Sequence, residues 1–168
     1  MQGTPMLQMI TPCLWFDSQA EEAVEFYASI FRNAKIVSIA RYSEAGREIH
    51  GKPPGSVMTV AFELEGHAFT ALNGGPMFKF NEAISFQVTC RTQEEVDYYW
   101  GRLSEGGDKK AQQCGWLKDK YGVSWQIIPT VLIDLINEPD SEKSQRAIQA
   151  MFQMKKIDID ELKRAYAS

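Results

Sequence analysis

GVSWQII, Gly122 to Ile128, is the stretch that decides how this chain is read. It has the form of a β-strand launched from a glycine turn. Upstream, GHAFTAL from Gly66 to Leu72 repeats the same order: glycine, one residue, a small residue, a large aromatic, a polar residue, two apolar residues. A strand written twice predicts two related units. Strand neighbours point to opposite faces. Ala68, Thr70 and Leu72 therefore share one face of the first strand, and Ser124, Gln126 and Ile128 one face of the second. Phe69 and Trp125 point the other way, to where helices would cover them.

The surroundings of the two strands agree. Ser18-Gln19-Ala20-Glu21 and Thr92-Gln93-Glu94-Glu95 have the form of capping boxes, a hydroxyl followed three residues later by a glutamate. Behind the first, Ala20, Ala23, Val24, Tyr27 and Phe31 fall on a helical stripe; behind the second, Val96, Tyr99, Trp100 and Leu103 do so. Apolar strands precede the helices, around Leu7 to Phe16 and Ala83 to Cys90. Further strands follow: Ile36 to Tyr42, Val57 to Leu64 and His67 to Asn73 in the first unit, with a hairpin at Glu65-Gly66. In the second they are a short piece near Lys110 to Gln113, Gly115 to Lys118, and Val123 to Ile128.

The expectation is an α+β fold of two βαβββ modules, 6–73 and 83–129, within one domain over 1–168. The linker is 74–82, and a helical tail runs over 130–168. In the tail, Val131 to Ile136 predicts a short helix stopped by Glu138-Pro139. A second helix starts at Asp140 or Ser141, with Ala147, Ile148, Met151 and Phe152 on one stripe. Asp158 with Glu161 starts a third.

With 168 residues, 44% hydrophobic and 11% aromatic, the chain can build a core. A net charge of −4 argues against nucleic acid and anionic membranes as partners. The N-terminus predicts no secretory signal, and no apolar run reaches the roughly 20 residues of a membrane helix. Cys13, Cys90 and Cys114 have no metal-binding or disulfide spacing, so buried thiols in a cytoplasmic protein are expected. The glycine pairs Gly74-Gly75 and Gly106-Gly107 do not open a nucleotide-binding strand–turn–helix. Acidic pairs such as Glu21-Glu22 and Glu94-Glu95 begin helices and oppose their dipoles.

LNGGPMFKFNEAISF (Leu72 to Phe86), CGWLKDKYGVSWQIIP (Cys114 to Pro129) and AMFQMKKIDIDEL (Ala150 to Leu162) resemble the PhnB-like branch of the vicinal oxygen chelate superfamily. That superfamily includes glyoxalase I, extradiol dioxygenases and bleomycin-resistance proteins, and the branch carries the label 3-demethylubiquinone-9 3-methyltransferase-like. The resemblance implies a curved mixed sheet around a cavity with helices outside. It also implies a homodimer.

Metal-using members of that superfamily take two ligands from the opening strands and two from the closing strands. Here those positions fall at Ile10 or Thr11, at Ala83 or Ile84, and at Thr70 and Gln126. None is a histidine or carboxylate. His50 and His67 read as exposed turn residues. No metal and no other cofactor is expected.

The expected ligand-binding residues are Thr70, Leu72, Ser124 and Gln126, with Trp116 and the linker's Phe78 and Phe80 available for stacking on a planar ligand. The expected function is binding of a small amphipathic or aromatic molecule. The alternative is an enzyme of the superfamily with a divergent active site, using lyase, isomerase, dioxygenase or transferase chemistry.

Overall fold

The computed structural model describes residues 8–137 and 142–168. Leu7 of the opening strand, the helix stop at Glu138-Pro139 and the caps at Asp140 and Ser141 lie outside those residues. The chain divides into two compact units, Met1–Lys79 and Phe80–Ser168.

The first unit holds β1 (Cys13–Phe16), α1 (Ala20–Ala28), β2 (Ala34–Arg41), the single turn α2 (Arg47–His50), β3 (Val57–Leu64) and β4 (His67–Asn73). Its sheet has the order β1-β4-β3-β2, with β1 parallel to β4 and the rest antiparallel. β1 is shorter than expected because Pro12 has no N–H to give the ladder, although its carbonyl still accepts from Thr70 at 2.9 Å. Glu65 (φ 47°) and Gly66 (φ 82°) form the turn between β3 and β4, two left-handed residues that suit a tight hairpin. Val60, Phe62 and Leu64 are buried on the face that meets α1, with Ala20, Ala23, Val24 and Tyr27 of the helix. Phe69 stacks on Phe62, and Phe62 on Tyr27.

Helix α1 is not capped by Ser18. Gln19 holds the cap position with no side-chain bond. The cap comes from the end of β4, where Asn73 pairs with Phe16 of β1. Asn73 Oδ1 accepts from the Ala20 N–H at 2.8 Å, and Asn73 Nδ2 donates to Glu21 at 2.9 Å. A buried amide satisfied on both sides replaces the local hydroxyl.

The second unit holds β5 (Ser85–Cys90), α3 (Gln93–Ser104), β6 (Trp116–Lys118) and β7 (Ser124–Pro129), followed by α4 (Thr130–Asn137), α5 (Glu142–Met151) and α6 (Ile159–Ala167). Its sheet is β5-β7-β6, parallel between β5 and β7. Thr92 caps α3 as read from sequence, accepting from Glu95 N–H, while Glu95 reaches back to Arg91 N–H. Gly107 is needed beyond that helix: a Cβ there would lie 2.0 Å from the Lys118 carbonyl oxygen.

The strand expected near Lys110 to Gln113 does not form. Asp108 accepts from Lys110 N–H and winds Lys109–Ala111 into a 3-10 turn. Only a single bridge, Gln113 to Trp116, remains of that strand. The N–H groups of Cys114 and Gly115 instead donate to Met154 and Lys155 of the tail, at 2.9 and 2.8 Å. Gln93 secures the same segment, donating to the Ile157 carbonyl and accepting from Ile159 N–H. The turn before β6 is thus bonded to the tail, and the described strands and helix of this sheet follow the order βαββ.

The tail brings its own core. Leu132, Leu135, Ala147, Met154, Ile157 and Leu162 pack with Ile128 of β7, and Met151 leans on them. Asp158 caps α6 through Glu161 N–H. Phe152, expected on the buried stripe, is exposed. The cysteines also differ from expectation, since only Cys90 is buried and Cys13 is exposed. Burial and the neighbouring Glu95 push the Cys90 thiol up to about 12, so it stays protonated and inert.

Candidate functional site

In the second unit the decisive side chain is Asp119, in the turn between β6 and β7. It is buried, and its carboxylate accepts backbone and indole N–H groups. One oxygen takes the N–H groups of Tyr121 and Val123, and the other takes the Trp125 indole N–H at 2.9 Å. Trp125 is thereby fixed on the α3 side, 3% exposed, with its ring 5.4 Å from that of Phe86. Leu117 and Ile127 are buried on the same face.

The other face carries the candidate residues. Gln126 is half-buried and donates to Ser85 Oγ at 2.8 Å, while its own carbonyl accepts weakly from Gln87 at 3.4 Å. Trp116, half-buried, is the strand partner of Gln126 across the β6–β7 ladder. Ser124 shares this face and is 2% exposed. Its hydroxyl has no hydrogen-bond partner among the described residues. Phe80 is half-buried just before β5, with its Cβ 3.9 Å from where a Cβ on Gly122 would sit. Lys118 and Glu82 form an ion pair, and the hydrogen bond from Lys118 lowers the Glu82 carboxyl.

The first unit gathers the remaining candidates. Thr70 and Leu72 are half-buried on the face turned away from α1. Their partners on β1 are Cys13 and Trp15. Phe78 is 58% exposed and meets Trp15 edge to face, ring centres 4.9 Å apart. Trp15 is anchored by its indole N–H to the Gly75 carbonyl at 2.9 Å. A Cβ on Gly74 would lie 2.2 Å from the Trp15 ring, so only glycine fits there.

Trp15, Ser85 and Gln87 were missed by the sequence reading. Alternation could have found Trp15, because Leu14 and Phe16 are core residues and their neighbour must face away. Ser85 and Gln87 required the parallel register of β5 on β7.

The chain matches the 3-demethylubiquinone-9 3-methyltransferase family over residues 8–128. It belongs to this family. A PhnB protein from Bacillus cereus is 39% identical, covering 73% of this chain and 99% of its own, with a TM-score of 0.61. Protein PA1353 from Pseudomonas aeruginosa is 18% identical over 74% of this chain and 98% of its own, with a TM-score of 0.55, a likeness of fold. No curated protein matches the chain. The family is the PhnB-like branch of the vicinal oxygen chelate superfamily, as the motifs indicate.

The metal that other members of the superfamily use can be tested against these residues. The positions expected on the opening strands are not strand residues: Ile10 and Thr11 precede β1, and Ala83 and Ile84 precede β5. The register puts Cys13 beside Thr70 and Gln87 beside Gln126. A hydroxyl, a thiol and two amides are weak, mostly neutral donors, whereas zinc, iron or nickel at such sites wants imidazole and carboxylate. Among the described residues no group of three or more histidine, cysteine, aspartate or glutamate side chains could hold a metal ion. The residues of this family member do not fit such an ion. Of the histidines, His67 opens β4, while His50 lies in α2, not in an exposed turn, with its ring 4.6 Å from that of Tyr42.

The two faces of β7 predict opposite mutational behaviour. Trp125→Ala should cost about 3–5 kcal/mol, since it empties a core site and strips a partner from Asp119. Gln126→Ala should cost less than about 1.5 kcal/mol. Urea unfolding measures both, and equal losses would make Gln126 a structural residue.

Proposed function

We propose that the chain binds a small amphipathic or aromatic molecule on the sheet face that carries Ser124 and Gln126, without a resident transition metal. The observation that supports this most is the Ser124 hydroxyl. A buried hydroxyl without a partner costs about 1–3 kcal/mol. It stands here in a polar row with Ser85, Gln87 and Gln126 rather than alone in a core. A ligand carbonyl or hydroxyl would satisfy it. Gln126 keeps one amide hydrogen and a carbonyl lone pair for the same molecule, and Trp116 offers a ring face beside them. In the first unit Thr70, Leu72, Trp15 and Phe78 form an apolar and hydroxyl surface of their own.

Methyl transfer from a nucleotide-bearing donor, which the family's description suggests, has little support in the chain. Such donors sit on a glycine-rich strand–turn–helix. The turn from β1 to α1 is Asp17-Ser18-Gln19, with no glycine, and the glycine pairs follow β4 and α3. Turnover by another superfamily chemistry is the reading that would replace ours.

We also propose a homodimer in the cytoplasm. The edge strand β2 exposes Ile36, Val37 and Ile39, and the tail exposes Phe152. A free edge of this kind needs protection. Among the described residues no helix is long and apolar enough to cross a membrane. Light scattering should give twice the chain mass; a single-chain mass would refute the dimer.

Ser124→Ala gives the sharpest test of binding. The variant should be as stable as the parent or more so, by up to about 1–3 kcal/mol. Its affinity for a planar amphipathic probe such as anilinonaphthalene sulfonate, read by fluorescence, should fall. A loss of stability with unchanged probe affinity would show that the hydroxyl serves the fold.

A further inference from the structure

The first unit contains a cavity of about 400 Å³, lined by Asp17, Ser18, Glu21, Arg41, Lys52 and Asn73 among others. That volume lies in the usual range for small-molecule sites. It sits where α1 begins and β4 ends. Asn73 reaches it from the α1 side of β4, opposite the face of Thr70 and Leu72, so the cavity is separate from the candidate site above.

Its walls carry opposite charges that do not neutralise one another. Among the described residues, none of Asp17, Glu21, Arg41 and Lys52 is in an ion pair. The groups are nonetheless held in place. Glu21 accepts from Asn73 Nδ2 at 2.9 Å, and Arg41 donates to the Gly55 carbonyl at 2.9 Å. Lys52 is half-buried, and its ammonium lies 3.4 Å from where a Cβ on Gly75 would be.

The loop that brings Lys52 is closed and pinned. Tyr42 N–H donates to the Ser56 carbonyl, and Gly55 N–H to the Tyr42 carbonyl. The His50 ring packs on Tyr42 and accepts the Lys52 backbone N–H at 2.9 Å. The Tyr42 hydroxyl donates to the Asn73 carbonyl at 2.7 Å, tying loop and sheet together.

We propose that this cavity binds a small zwitterion, an amino-acid-like molecule with one ammonium and one carboxylate. Two carboxylates and two cations make a site of no net charge. A ligand carrying one charge satisfies one wall and leaves the other uncompensated. A zwitterion places its ammonium against Asp17 and Glu21 and its carboxylate against Arg41 and Lys52, where a guanidinium can hold both oxygens.

The test is an amide NMR titration of the full chain at low salt, with γ-aminobutyrate as the probe and butyrate and butylamine as single-charge controls. The expected result is saturable shifts at Ser18, Glu21, Lys52 and Ser56, with each control weaker by roughly tenfold or more. Lys52→Met and Asp17→Asn should each weaken γ-aminobutyrate by roughly tenfold. Lys35→Met, which removes an exposed cation paired with Glu63, should leave it unchanged. Because Asp17 and Lys52 are not in the core, the variants' amide spectra will report whether they remain folded. No saturable shift, equal binding of either control, or full affinity in both Lys52→Met and Asp17→Asn would overturn the proposal.

Discussion

The hydrogen bond from the Trp125 indole to the buried Asp119 carboxylate orders the second unit. A buried carboxylate is costly unless its oxygens are occupied, and three N–H donors occupy these. The same contact closes the β6–β7 turn and commits Trp125 to the helix side. Side chains alternate, so the commitment extends along the strand: Ser124 and Gln126 must take the other face. A slip of one residue would put the indole on the polar face and pull it from its acceptor. The chemistry available on that face therefore follows from a turn residue that never reaches it.

In the first unit Asn73 has the comparable part. It caps α1, bonds Glu21 and the Val57 carbonyl, and accepts through its own carbonyl from Tyr42. One buried amide at the end of β4 thus joins helix, sheet and the loop before β3. Among its described residues the second unit forms a three-stranded sheet, and the tail is bonded to it. Lys156 pairs with Asp97 at 2.6 Å, and Gln93 and the Cys114-Gly115 turn grip the flanking backbone. The segment from Ala150 to Leu162 carries this attachment.

The parts of the fold with local causes were legible in the sequence. β3 and β4 fall at the expected residues because alternation and the Glu65-Gly66 turn are both written nearby. The caps at Thr92 and Asp158 were legible for the same reason. The cap on α1 was not, because Asn73 lies 53 residues away from the N–H it accepts. The false strand near Lys110 was lost to one short-range bond, from the Lys110 N–H to the Asp108 carboxylate. Within the candidate site, the placing of Trp125 and Gln126 followed from alternation alone, whereas the burial of Asp119 did not, since an aspartate between two lysines reads as an exposed turn. Ser85 and Gln87 depend on a parallel register that no local pattern encodes.

The central claim is that one face of β7 is core and the other receives a ligand. Fluorotryptophan labelling tests it within one sample, since the chain has four tryptophans and Trp116 and Trp125 lie on opposite faces of the same small sheet. Fluorine NMR is recorded while anilinonaphthalene sulfonate is added, with single Trp→Phe variants to assign the resonances. The account predicts that the Trp116 resonance shifts and saturates while that of Trp125 stays in place. A shift at Trp125 with Trp116 unmoved would contradict it.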